Sequence, residues 1–444
     1  MYRLADLIDD RPSDGVFRVH RAIFDDAELF DLEMRTIFEA GWIFLGLASQ
    51  ADQPNDFFTT WAGRVPILIS RDGEGTFHAF VNSCPHKGAR IAQTMAGNAR
   101  MHVCAYHSWT FDSAGRNRGI KQKAAGCYAA AFDDASHDLI RLPAFADYRG
   151  YLFGSLSANV PPLADYLGET VKLLDLVVDQ GEGMELIPGG VTFTYDANWK
   201  LQLENCSDQY HFTSAHPSYI RLLEKRARAE KPEAFKSAME TQTHWREDAS
   251  GIQGGSFSFA NGHALNWGIG TVNDGSPLYE SRDRLAAAIG EDRRDWMFNM
   301  RNLTIFPNLQ IAENASSQLR VIRPLAANKT EMRTWCLAPK GESAAARRQR
   351  IRQYEDFFNP SGMATPDDTV CYENCQSGFT SRVEPWLQGY SRGMTASAPG
   401  GNAHSERIGM DAAAHVLGTA QLCDETLYHS YYREWAKRMH GVLA

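Results

Sequence analysis

The pairs Cys84-x-His86 and Cys104-x-x-His107 constrain this chain more than any other feature, because two neighbouring loops must carry four metal-ligating side chains to one point. A chance match is on the order of one in a thousand for a chain with 8 cysteines and 14 histidines among 444 residues. The surrounding sequence reads as hairpins: short runs near period two, such as "DFFTTW" (56–61), "VPILIS" (65–70), "TFHAFVN" (76–82) and "YLFGSLS" (151–157), alternate with turn signals such as "RDGEG" and "DSAGR". The spacings leave two chemistries open. A structural zinc would take all four ligands as one tetrahedral set, whereas a [2Fe-2S] cluster would give both thiolates to one iron and both imidazoles to the other. Imidazoles in place of two thiolates raise the potential of such a cluster, which then accepts electrons readily and passes them on.

Composition narrows the partners. The net charge of −9 arises from 45 basic and 54 acidic residues scattered along the chain, with no basic block to match a phosphate backbone, so nucleic acid is excluded. The opening "MYRLADLIDDRPSDG" lacks the apolar core of a signal peptide, and no run approaches the roughly eighteen apolar residues that span a bilayer; a cytoplasmic protein without a membrane partner is the expectation. Cysteines 84, 104, 127, 206, 336, 371, 375 and 423 are spread through a long chain, which favours metal ligands and free thiols over a disulfide framework.

Residues 22–40 place Phe24, Leu29, Leu32 and Ile37 on one stripe and predict a short amphipathic helix. A small antiparallel β domain then runs over 41–158 and encloses both ligand pairs. Beyond "ANVPP", strand-like "VTFTYD", "LTIFPNLQI" and "SQLRVIRPL" mix with helix-like "NWKLQLENCSDQYHF" and "SAAARRQRIRQYEDFF", predicting an α+β domain over 159–444.

The stretch "NWKLQLENCSDQYHFTSAH" (198–216) concentrates Glu204, Asp208, His211 and His216. On an ideal helix the first three fall within about 60° of one another, opposite an apolar stripe of Trp199, Leu203, Cys206 and Tyr210. His216 would lie about 140° from His211, but Pro217 disfavours helix at His216, so the helix is expected to stop there and its imidazole to turn back toward His211. Two histidines call for a carboxylate, the donor set that leaves open positions on Fe(II). "SGMATPDDTVCYENC" (361–375) offers Asp367 and Asp368, although Thr365, Pro366 and Asp368 also fit the N-cap, N1 and N3 positions of a helix. Cys371 and Cys375, one turn apart with no matching pair elsewhere, read as packed or free thiols. Phe212, Asn261, His263 and Trp267 are the candidate pocket residues.

With these residues in place, the chain resembles the large (α) subunits of the Rieske non-haem iron aromatic-ring-hydroxylating oxygenases, over nearly its whole length. Within them it is most similar to the benzoate, toluate and anthranilate dioxygenase group, through "FDLEMRTIFEAGWIF", "RNLTIFPNL", "SQLRVIRPL" and "RIRQYEDFFNPSGMATPDD". The resemblance implies an α+β fold: an N-terminal helical segment (1–40) packing with the catalytic domain, an all-β Rieske [2Fe-2S] domain (41–158), and a catalytic mononuclear iron domain (159–444) of helix-grip, START-like form, an antiparallel sheet flanked by helices. It implies that Cys84, His86, Cys104 and His107 bind the cluster, and that His211, His216 and Asp368 bind the mononuclear Fe(II). Asp208 would bridge His211 to His107 of a neighbouring subunit in a ring-shaped trimer, because within one chain the two centres are too far apart for fast electron transfer.

The implied partners are a small β subunit (α3β3, or α3 alone) and a flavin iron-sulfur reductase that passes electrons from NADH through FAD, directly or through a ferredoxin. The implied reaction is cis-dihydroxylation of a benzoate- or anthranilate-like ring with O2. Some residues depart from the group. Lys87 and Ser108 stand where relatives usually have Arg and Gly, Gln209 replaces Gly, Pro217 follows a predicted iron ligand, and "AENASSQ" (312–318) is less apolar than expected. These changes leave open an indole-acetic, phenoxyacetic or aniline-type substrate, or monooxygenation. A Rieske electron carrier without catalysis and a zinc-stabilised interaction protein are the rivals from other classes.

Overall fold

The computed structural model describes residues 2–229, 246–381, 383–418 and 424–443; Cys423 lies outside them. The chain divides into two units, one formed by Met34–Leu163 and the other by the residues up to Glu33 together with those from Ala164 onward. Among the described residues no helix is long and apolar enough to cross a membrane.

The unit Met34–Leu163 is built from three small antiparallel sheets. One runs Phe77–Val81, Val65–Arg71, Asp56–Ala62, Ala96–Asn98, and a second runs Asn117–Gly119, Thr110–Asp112, Met101–Val103. Alternation along these strands sends Phe57, Leu68, Phe80 and Phe111 into one core, and Cys84, Cys104 and Trp109 join it. Both cysteines therefore sit in packed surroundings that fix their direction.

The larger unit centres on a ten-stranded antiparallel sheet. Its middle strands are β1 (Gly254–Ser258), β2 (Ala264–Gly268), β3 (Met300–Ile305), β4 (Leu309–Glu313), β5 (Ser317–Ala326) and β6 (Lys329–Pro339). The register aligns Leu265, Leu303, Ile311, Leu319 and Trp335 across one face. The opposite face carries the row Ala264, Thr304, Gln310, Arg320, Thr334. That polar face receives helix α1 (Trp199–Ser207): Gln202 and Gln310 exchange hydrogen bonds at 3.1 Å, and Asn266 donates to the Ser207 carbonyl at 3.0 Å. The unit also holds helices α2 (Pro217–Ala229), α3 (Ala344–Phe357), α4 (Thr365–Phe379) and α5 (Leu427–Leu443), among others.

The N-terminal segment differs from a single helix. It opens with a hairpin, Ile8–Arg11 and Val16–His20, and residues 22–40 break into Ala22–Asp25, Ala27–Glu33 and a π-helical turn Met34–Phe38. The break has a local cause, since Asp26 Oδ1 accepts from the Glu28 and Leu29 amides and restarts the helix. Glu33, fully buried, then accepts from the Trp199 and Trp435 indoles at 2.8 and 2.7 Å and pairs with Lys200 Nζ at 2.5 Å. Such a carboxylate is tolerated only because every partner is present, and it ties the segment to α1 and α5.

Candidate metal centres

The two loops of the smaller unit are built alike. The Cys84 amide donates to the Ala89 carbonyl and the Gly88 amide to the Cys84 carbonyl; in the second loop Cys104 donates to Trp109 and Ser108 to Cys104. The equivalent fourth positions, Gly88 and Ser108, have φ of 76° and 57°, left-handed values that glycine adopts without strain. Ser108 takes this conformation although it carries a side chain. The loops bring Cys84 and Cys104, each 2% exposed, into mutual reach, and set the His86 and His107 rings 4.4 Å apart, with His86 stacked on Trp109. Nδ1 of both histidines is buried and has no hydrogen-bond partner among the described residues. Two thiols and two orphaned imidazole nitrogens are the donor set of a Rieske-type cluster, and a ligand bond is what would satisfy them.

In the larger unit the chain departs from the expected continuous helix. Helix α1 starts at Asn198, whose side chain accepts from the Lys200 amide, and ends at Ser207. Asp208 leaves helical geometry (φ −106°, ψ 114°), and its Oδ1 accepts from the amides of Tyr210 and His211 at 2.6 and 3.3 Å. The aspartate side chain outcompetes the helix for these amides, so Asp208 and His211 do not share a helix face with Glu204, and Tyr210 is left 52% exposed. A single turn, Phe212–Ala215, follows; His216 takes φ −111°, ψ 35°, and Pro217 begins α2. The bend turns the His216 ring back to 5.3 Å from that of His211.

Helix α4 supplies the carboxylates. Its N-cap is Ala364, with no side-chain cap, so the capping role considered for Thr365 and Asp368 is not the one adopted. Asp368 Oδ1 instead lies 3.2 Å from His216 Nε2 and 3.5 Å from His211 Nε2. The three groups can offer ligand atoms within 4.8 Å of one another, a spacing that suits a metal ion. Behind each imidazole stands another aspartate: Asp208 Oδ2 is 3.2 Å from His211 Nδ1, an ion-pair contact whose angle falls short of a hydrogen bond, and Asp367 Oδ2 is 3.4 Å from His216 Nδ1. Carboxylates in these places orient the rings and leave both Nε2 atoms toward Asp368. Burial pushes the Asp368 carboxyl up, but its bond to His216 and the charges of His211, His216 and Arg320 bring it below its ordinary value. Burial likewise pulls His211 down, and Asp208 and Asp368 together raise it overall.

Sequence reasoning missed Asn205, whose Nδ2 lies 3.0 Å from Asp368 Oδ1 and 3.2 Å from His211 Nε2. No spacing rule selects an asparagine here; only the turn at Asp208 brings the ligands back over it. A cavity of about 330 Å³ is lined by His211, Asp368, Asp208, Glu204, Tyr390 and Glu425, with the exposed free thiols Cys371 and Cys375 on its wall. Of the candidate pocket residues, only Phe212 stands by the triad, its ring 5.7 Å from His216. Asn261 donates to the Tyr166 carbonyl, and His263 is fully committed between the Tyr166 carbonyl and the Phe306 amide. Trp267 packs on Phe257 and Trp296.

Glu204, read from sequence as part of a polar face, is half-buried on the cavity wall and accepts from the Tyr390 and Tyr432 hydroxyls. Burial pushes its carboxyl up to about 7, against 4.5 for an ordinary glutamate. The folded state therefore holds this proton more tightly than the unfolded one. Its contribution is complete below pH ~4.5 and is lost as pH rises through ~7, amounting to at most about 3 kcal/mol. Glu204→Gln, which keeps an acceptor for both tyrosines, is expected to flatten the fall in thermal midpoint between pH 5 and 8; an unchanged pH profile would contradict this.

Comparison with known proteins agrees with both centres. Residues 41–143 match the Rieske [2Fe-2S] domain family, and residues 176–441 match the ring hydroxylating alpha subunit (catalytic domain) family. The chain is 40% identical to the toluate 1,2-dioxygenase subunit alpha of Pseudomonas putida, covering 98% of this chain and 93% of that one. It is 38% identical to the 2-halobenzoate 1,2-dioxygenase large subunit of Burkholderia cepacia (98% and 92% covered) and 39% identical to the anthranilate 1,2-dioxygenase large subunit of Acinetobacter baylyi (97% and 91%). A naphthalene 1,2-dioxygenase variant bound to phenanthrene superimposes with a TM-score of 0.80 over 96% of this chain and 93% of that one; at 24% identity this speaks for the fold.

Proposed function

The chain belongs to the ring-hydroxylating alpha-subunit family, and on that premise we propose that it is the large subunit of a terminal oxygenase that cis-dihydroxylates an aromatic carboxylate of the benzoate, toluate or anthranilate kind. The observation that carries the reading is the convergence of His211, His216 and Asp368 in a chain that also holds a Cys2His2 pair of loops. Cys84, Cys104, His86 and His107 hold the [2Fe-2S] cluster; His211, His216 and Asp368 hold the mononuclear iron. When bound, these groups supply single-electron transfer and the reductive use of O2.

The protein's own residues do the rest. Asp208 and Asp367 fix the imidazole orientations, and Asn205 places an amide beside the ligand atoms. The mononuclear site opens on one side onto the cavity of about 330 Å³ that Asp208 and Glu425 line. Electrons reach it in an assembly: Asp208 meets His107 of a neighbouring copy, a reading supported by Tyr106 and Val103, 63% and 53% exposed beside the cluster loop, and by Asp208 lining an open cavity. Electrons come from NADH through a flavin reductase, and a small β subunit completes the oxygenase.

The test is product analysis. Iron-loaded oxygenase assembled with its β subunit, given a benzoate-dioxygenase reductase, NADH and O2, should convert benzoate, 3-methylbenzoate or anthranilate to a cis-diol or the catechol that follows loss of CO2. Turnover of neutral arenes alone would refute the substrate class, and formation of a single hydroxyl would refute dihydroxylation.

A further inference from the structure

The stretch "SQLRVIRPL" sets a charged side chain, Arg320, on the polar face of the sheet. Arg320 aligns with Gln310 on β4 and Thr334 on β6, and Gln310 is bonded to Gln202 of α1, so this row lies beneath the helix that leads into the iron-ligand turn. Its guanidinium carbon is 5.4 Å from the Phe358 ring centroid; Phe358 packs on Phe357, whose ring is 6.1 Å from that of His216. Arg320 thus lies on the sheet face that α1 covers, beside the aromatic pair that leads to His216.

What separates it from the other inward arginines is its partner. Arg301 is paired with Glu313, Arg350 with Glu342, Arg293 with Asp179 and Arg323 with Glu331. Arg320 has no carboxylate partner among the described residues: only Nε is engaged, by the neutral Gln318 Oε1. Gln318 is itself held by Tyr354 and Asn359, so the guanidinium is positioned while both Nη atoms are left without a partner among the described residues. Held by one neutral partner beside the Phe358 ring, the guanidinium keeps a planar fork that matches a carboxylate with two parallel hydrogen bonds. A ring face beside that fork suits an acid whose carboxylate is attached to an aromatic ring.

We propose that Arg320 anchors the substrate carboxylate and thereby makes the site selective for aromatic acids over neutral arenes. This rests on the oxygenase reading above. Benzoate is the probe and benzamide its neutral counterpart, each titrated onto iron-loaded protein by calorimetry and then compared in oxygen uptake. Arg320→Gln is expected to weaken benzoate binding and raise its KM about 10- to 100-fold, to change kcat far less, and to narrow the gap between benzoate and benzamide. Arg320→Lys should recover part of the loss.

Unchanged benzoate affinity in Arg320→Gln, with the cluster spectrum and iron content retained, would overturn the proposal and leave the oxygenase reading standing. A fall in kcat and iron content at constant KM would also overturn it, by making Arg320 a support for Asp368. If Arg320→Gln does not fold, the wild type decides, since equal affinity for benzoate and benzamide contradicts a carboxylate anchor. Wild-type protein that converts only neutral arenes would refute the substrate class itself, and the anchor with it.

Discussion

Asp368→Ala is expected to empty the mononuclear site and leave the cluster intact. Oδ1 of Asp368 is the only carboxylate oxygen among the described residues that stands within 3.5 Å of both His211 Nε2 and His216 Nε2. Without it two neutral imidazoles remain, and a two-nitrogen set on adjacent turns holds Fe(II) poorly. Losing an orienting partner behind a ligand typically costs 10- to 100-fold in metal affinity or activity, and losing the ligand itself should cost more. Iron should therefore fall from three to two per chain, sulfide should stay at two, the visible spectrum of the cluster should persist, and product formation should drop by more than about 100-fold. Asp368→Asn keeps the volume and the contact with Asn205 but not the charge, so it should fold as well as the wild type and still lose the third iron. Two irons in the wild type would fit an electron carrier without catalysis, and zinc in a colourless sample would fit an interaction protein. Three irons retained by both variants would remove Asp368 from the ligand set.

How much of this could be read beforehand depended on how local each cause is. The cysteine–histidine loops are legible because each is closed by its own backbone: Cys84 to Ala89 and Cys104 to Trp109 are the same short hydrogen-bonded turn. The α+β class was legible from the strand-like runs that form β3 to β5 against the helical pattern of α3. The helix break at Asp208 was not, because an aspartate within an amphipathic helical pattern is equally at home on a polar face, and only the geometry shows that it captures the Tyr210 amide. Glu204 was misread for a similar reason. Its partial burial is imposed by Tyr390 and Tyr432, nearly two hundred residues or more along the chain, and no periodicity within α1 reports them. Asp367 and Asp368 illustrate the limit at its sharpest. Adjacent residues of one helical turn divide between the two sides of His216, one behind Nδ1 and one facing Nε2, and spacing alone cannot say which does which.

Asp208→Ala should abolish coupled turnover while keeping both metal centres. The Asp208 carboxylate does two things at once. Oδ1 holds the turn through the Tyr210 amide at 2.6 Å, and Oδ2 reaches His211 Nδ1 at 3.2 Å, on the side where the cavity opens beside Glu425 and Tyr428. Removing both should lower product formation about 100-fold or more, at the upper end of what partners behind metal ligands contribute. Asn separates the two roles: Asp208→Asn retains an oxygen for the Tyr210 amide but loses the negative charge between imidazoles. If Asp208 acts only through the turn, the Asn variant should recover near-normal turnover; if it couples His211 to His107 of a neighbouring copy, Asn should be almost as inactive as Ala. The decisive measurement is rapid mixing of reduced protein with O2 in the presence of benzoate, following the cluster spectrum. Coupling through Asp208 requires reoxidation to slow in both variants while iron content holds at three, whereas normal reoxidation with low product would confine Asp208 to shaping the mononuclear site. Near-normal turnover in the Ala variant would remove Asp208 from both roles.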